Sequence, residues 1–143
     1  MPTPTARYRK LTRYKYQLVE DYRVSVPIKP TEEIVSPYVA LSREGELFIK
    51  AHYAWDGPSG PTIDIRSFMR GSLIHDALYQ LMRLNLLDTK SQRIVADRIL
   101  QECCKADGMW ALVAWLVYLG VHWFGASNAK HGTEKPDEIM VVP

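Results

Sequence analysis

The spacing of apolar positions changes near residue 60. From Tyr14 to Ile28 the chain reads Tyr-Lys-Tyr-Gln-Leu-Val-Glu-Asp-Tyr-Arg-Val-Ser-Val-Pro-Ile, and in its latter part Tyr22, Val24, Val26 and Ile28 alternate with polar partners. Period-two alternation predicts half-buried strands. Pro27 and Pro30 confine pairing there to a sheet edge, because proline has no amide proton to donate. Tyr38-Val39-Ala40-Leu41 and Leu47-Phe48-Ile49 flank the polar, glycine-bearing Ser42-Arg43-Glu44-Gly45-Glu46, the pattern of a hairpin. The second run is expected to continue through His52 to Trp55. Asp56-Gly57-Pro58-Ser59-Gly60-Pro61 is too dense in Gly and Pro for regular structure and predicts a loop.

Beyond that loop the spacing becomes helical. Asp64 is the expected cap of a helix over Ser67 to Met82, with Phe68, Ile74, Leu78, Leu81 and Met82 as its apolar residues. Leu84 to Leu87 connects to a second helix, capped by Asp88 and reaching Ala106, on which Ile94, Val95, Ile99, Leu100 and Cys103 recur. Asp107-Gly108 suits its stop. The third helix, Met109 to Phe124, is apolar nearly all round, which predicts a helix buried at the centre and ended by Gly125. The prediction is an α+β fold: N-terminal antiparallel strands and a hairpin packed on a C-terminal three-helix unit. Residues 1–13 then form an arm, 14–126 the domain and 127–143 a polar tail.

Composition narrows the partners. A chain of 143 residues with 47% hydrophobic positions can bury one core of ordinary size. A net charge of +2 does not demand nucleic acid. The exception is the start, where Arg7, Tyr8, Arg9, Lys10 and Arg13 mix cations with an aromatic ring and no acid. Such an arm can grip phosphates and stack on bases, but docking on a neighbouring protein is the plainer use. Cys103 and Cys104 are adjacent, where a disulfide is strained. Without a CxxC pair or a Cys/His ribbon they read as reduced, buried residues, as in a protein made in the cytoplasm. Met1-Pro2-Thr3-Pro4-Thr5 carries no apolar leader run. The charge-free stretch from Met109 to Ala126 falls at the lower limit of the roughly 20 residues that span a bilayer, so a membrane is not expected.

Three short patterns lie in order: Trp55-Asp56-Gly57-Pro58-Ser59-Gly60-Pro61, Leu73-Ile74-His75-Asp76-Ala77-Leu78-Tyr79 and Arg93-Ile94-Val95-Ala96-Asp97-Arg98. In order and spacing they resemble the phage-associated domain-of-unknown-function family 1353. That family carries an Asp-Gly-Ala-Ser-x-Pro loop, a His-Asp-x-Leu-Tyr helix and an Arg-x-x-Ala-Asp helix. The resemblance spans roughly Ser25 to Gly125. It departs in the loop, where Pro58 stands for the usual Ala and Gly60 is inserted before Pro61. The resemblance implies a phage or prophage origin, synthesis in the bacterial host cytoplasm, and a place in the virion if the protein is structural, as a tail or neck component. Other phage structural proteins, or further copies of the chain, would be its partners. It implies no activity.

The residues themselves leave two readings open. His75 and Asp76 are helical neighbours projecting about 100° apart. With Asp56 and Asp97, and with His52 offering a second imidazole, they could hold Zn²⁺, Mn²⁺ or Mg²⁺ and activate a water for hydrolysis. The His-Asp dipeptide is similar to that of the HD-type metal-dependent phosphohydrolases, which are all-helical and place an earlier His on a helix, whereas His52 falls on an expected strand. Alternatively, Arg93 and Asp97 pair at i and i+4, His75 donates to Asp97 or Asp56, and Tyr79 closes a purely structural network. The first reading makes the chain a small hydrolase of a cell-envelope or phosphoester substrate, with His75, Asp76 and Asp97 catalytic. The second makes it a structural module. Both require His75 near Asp97, with the Asp56 loop over the same helices. No nucleophile elbow, Walker loop or dinucleotide-binding glycine pattern is present.

Overall fold

The computed structural model describes residues 4–11, 15–56 and 65–124. Among these residues seven strands precede three helices. β1 (Tyr8–Lys10), β2 (Lys15–Leu18) and β7 (Ala54–Asp56) form one antiparallel sheet in the order β1-β2-β7. β3 (Tyr22–Ser25), β4 (Ile34–Val35), β5 (Val39–Leu41) and β6 (Glu46–Ile49) form the other, in the order β3-β6-β5-β4. The helices are α1 (Ile65–Arg83), α2 (Thr89–Ala106) and α3 (Ala111–Phe124). The α+β expectation holds, with strands confined to the first half.

Period-two burial is visible in the second sheet. Tyr22 and Val24 are buried on β3 while Arg23 and Ser25 face out. Val39 and Leu41 on β5 and Leu47 and Ile49 on β6 are buried opposite them. β3 is an edge strand, as expected, and ends before Pro27 and Pro30. The β5–β6 hairpin turns through Ser42 to Gly45, where the Ser42 hydroxyl accepts from the Glu46 amide at 3.0 Å. Gly45 has φ +91, and a Cβ there would lie 2.5 Å from the Val26 carbonyl oxygen. Only glycine meets both conditions.

The expected continuous strand from Leu47 to Trp55 is wrong in one respect. The chain bends at Lys50–Tyr53, with His52 at φ 79, and changes sheet. Its partner bends at the matching place: Ile49 is in register with Tyr22, and Ala54 with Gln17. The Leu18 and His52 amides donate across the corner to the Tyr53 and Leu18 carbonyls at 2.9 and 3.0 Å, and the Asp21 carboxylate accepts from the Ala51 amide at 2.8 Å. Two paired segments therefore fold into two sheets at a shared corner.

α1 packs across both sheets, burying Met69, Leu73, Ile74, Ala77, Leu78, Leu81 and Met82. Its expected cap, Asp64, lies outside the described residues, as do the Gly57–Pro61 loop and the stop at Gly125. Asp88 caps α2 as its sequence position predicts, accepting from the Ser91 amide at 2.9 Å. The stop is also as expected: Gly108 has φ +105, and the Asp107 and Gly108 amides close onto the Cys103 and Lys105 carbonyls. α1 and α2 approach closely at Gly71, where a Cβ would sit 3.0 Å from a Leu100 methyl. Two apolar assignments on α2 shift. Ile94 points outward, and Cys104, not Cys103, is the fully buried thiol. Burial pushes the Cys104 thiol up to about 12, so it is inert as a nucleophile at neutral pH.

α3 corrects the largest expectation. It starts at Ala111 rather than Met109, and it is not central. One side, Val113, Ala114, Val117 and Val121, packs with Phe68, Leu100, Cys104 and Met109, and Tyr118 is buried beside it. Leu112, Trp115, Leu116 and Trp123 remain open on the other, and Trp110 precedes them. The reason is geometric: the sheets cover much of α1, α1 and α2 cover each other, and α3 is left chiefly the outer flank of α2, with Phe68 of α1 at its edge. No described helix is long and apolar enough to cross a membrane.

Candidate functional site

The three helices converge on Asp97, whose side chain is fully buried. His75 and Tyr79 stand one turn apart on α1 and face the same way. Arg93 and Asp97 do the same on α2. One Asp97 oxygen lies 2.8 Å from His75 Nε2 and accepts from the Tyr79 hydroxyl at 2.6 Å. The other lies 3.5 Å from Arg93 Nη1, which also donates to the His122 carbonyl of α3 at 2.8 Å. The His75 and Tyr79 rings sit 4.1 Å apart. The Tyr118 ring stacks on His122, and the Arg98 guanidinium lies over its face at 4.9 Å. The expected meeting of His75 and Asp97 is thus present, with Tyr79 and Arg93 closing the network.

The charges follow from this packing. Burial works against the charged form of His75, but the Asp76 and Asp97 carboxylates outweigh it and hold the imidazole above its ordinary value. Burial, and then the Asp97 acceptor, keep the Tyr79 phenol protonated far above its usual range. His75 Nδ1 lies 3.8 Å from Asp76, an ion-pair distance rather than a hydrogen bond. Both imidazole nitrogens therefore face carboxylates. A proton bound more tightly in the folded state stabilises it fully below the unfolded imidazole value of about 6.5, and that stability drains as pH rises through the folded value. Melting temperatures should accordingly fall as pH is raised from about 6.5. His75→Gln should flatten that slope, and a wild-type melting temperature that climbs over the same range would contradict the assignment.

Of the residues of the metal reading, His75, Asp76 and Asp97 lie together. Among the described residues no group of three or more His, Cys, Asp or Glu side chains is arranged to hold an ion. Asp97 is spent on His75, Tyr79 and Arg93. Asp56 ends β7 opposite Lys15, and His52 occupies the sheet corner. Asp76 is one-quarter exposed beside His75. The basic arm is also placed: Tyr8, Arg9 and Lys10 form β1, with Tyr8 edge-on to the rings of Tyr16 and Trp55, and Arg7 pairs with Glu20. Arg13 lies outside the described residues.

Two polar features escaped the sequence reading. His122 Nδ1 is buried, has no hydrogen-bond partner among the described residues, and lies 3.5 Å from Asp97. A lone titratable ring in an otherwise apolar helix was its signal. Arg70 on α1 grips Asp107 with two nitrogens at 2.9 Å, binding the end of α2 back onto α1. The chain matches no protein-family model, no curated protein and no solved structure.

Proposed function

We propose that this chain is a small structural module of a phage or prophage particle, docking on neighbouring subunits through the outer face of α3. The observation that carries the docking is that open face: large apolar side chains on a helix otherwise free of charge. Contiguous apolar surface of this kind marks an interaction site more often than idle exterior. The particle assignment rests on the three motifs and their order. In this reading the Asp97 cluster is architectural. It locks α1, α2 and α3 together, so that the docking face is presented on a rigid support.

Quantitative mass spectrometry of particles purified from a lysate of the phage or prophage carrying this gene tests it. The chain should remain with the particles at a fixed copy number. Recovery only in the particle-free supernatant would contradict the proposal.

One observation favours the competing hydrolase. His75 turns Nε2 to Asp97 and leaves Nδ1 toward the partly exposed Asp76, and an imidazole oriented by a carboxylate is how metal-binding histidines are commonly held. Against it, the raised proton affinity of His75 opposes ligation, which needs the neutral ring.

A further inference from the structure

The open face of α3 has a definite shape. Leu112, Trp115, Leu116, Leu119 and Trp123 recur at three- and four-residue spacing and form one stripe. Trp110 extends it at the helix entrance. Trp110 is 81% exposed, Leu112 65%, Trp115 47%, Leu116 54% and Trp123 65%. Trp and Leu of this kind dominate protein interfaces when they find a partner.

From these exposures we infer that the partner covering this stripe is a second copy of the chain, related by a two-fold axis. The inference rests on the docking reading above and specifies its occupant. The first argument is area. At about 150–250 Å² for an aromatic side chain, these residues leave on the order of 600 Å² of apolar surface per copy. Two copies face to face would bury on the order of 1,200 Å², at the lower end of the range for specific, stable interfaces.

The second argument is charge. No Asp, Glu, Lys or Arg occurs between Trp110 and Trp123, and His122 is tied into the Asp97 cluster. A two-fold interface sets a patch against itself, so a charge near the axis would meet its own copy, and one further out would need a complementary charge elsewhere on the patch. This patch has none to repel or desolvate. The same lack disfavours a lipid surface, because helices that lie on membranes carry a cationic polar face beside the apolar one. Here the opposite face of the helix is protein core.

Gly120 supplies an independent observation. It lies within α3, where glycine weakens a helix relative to alanine. A Cβ at this position would meet nothing within 4 Å among the described residues, so their packing does not call for glycine. Gly120 lies one turn beyond Leu116 and leaves a notch on the flank of the stripe. Such a notch lets a second helix backbone approach closely.

Sedimentation velocity of the full chain, over a dilution series starting in the tens of micromolar, tests the inference. The expected result is a species of twice 16.4 kDa that dissociates on dilution. Leu116→Glu and Trp123→Glu should each weaken pairing by about thirtyfold or more. Both side chains are exposed, so circular dichroism of the monomer should be unchanged. Gly120→Leu fills the notch without touching the core and should weaken pairing in the same direction. A single 16.4 kDa species at every concentration would overturn the self-pairing while leaving the particle assignment to its own assay. A dimer indifferent to all three substitutions would overturn it too, as would a monomer that floats with neutral phospholipid vesicles, which would give the face to a lipid surface.

Discussion

Asp97→Ala is expected to destabilise the chain by about 3–5 kcal/mol, the usual consequence of removing one partner from a buried charged pair. Asp97 is the common acceptor of the three-helix junction. Without it, the Tyr79 hydroxyl loses its acceptor and His75 keeps a favoured proton with only the more distant Asp76 to compensate it. A domain of this size holds only about 5–15 kcal/mol in total. The melting temperature should therefore drop by on the order of 10–20 °C. Asp97→Asn keeps the shape and one acceptor, and should fall between wild type and alanine. Circular dichroism melts of the three proteins measure this. A shift of only a degree or two for the alanine variant would remove the junction from the account.

Trp55→Ala should be of similar size for a different reason. Trp55 is 1% exposed, lies against the Tyr16 ring at 5.9 Å, and donates its indole proton to the Ser72 hydroxyl of α1 at 3.0 Å. It ties the first sheet to α1. Truncating a buried tryptophan costs about 3–5 kcal/mol, through lost transfer energy and the cavity left behind. Trp55→Phe should recover most of the packing and lose the indole hydrogen bond. Fluorescence gives a second readout at dilutions where the chain is monomeric, because the other three tryptophans are then exposed. Trp55→Phe should remove the blue-shifted part of the emission. An unchanged spectrum would contradict the burial of Trp55.

What the residues disclosed, and what they did not, follows from the range of the interactions. Period-two alternation at Tyr22 and Val24, the glycine turn at Gly45, and the caps at Asp88 and Gly108 are set by neighbours in sequence, and they were legible. The meeting of His75 with Asp97 was legible too, because polar groups within apolar helical stretches must find one another. The corner at His52 was hidden. It depends on a second segment bending at the same place, and a positive φ is uncommon for any non-glycine residue even though His is enriched among the exceptions. The position of α3 was misread because hydrophobicity all round a helix signals total coverage, but not whether the chain itself provides the cover. Trp115, Leu116 and Trp123 look like core residues in sequence, and only the placement of α1 and α2 reveals that no room is left for them inside.

The central claim is that the Asp97 cluster holds helices together and does not hold a metal. Elemental analysis of the purified full chain, equilibrated in turn with Zn²⁺, Mn²⁺ and Mg²⁺ and then desalted, tests it most directly when run beside melts of wild type and His75→Ala. The account predicts no stoichiometric metal in either protein and a marked loss of stability in the variant, which leaves Asp97 without its imidazole partner. One bound metal per chain in wild type, absent from a His75→Ala protein that melts almost as the metal-free wild type does, would contradict it.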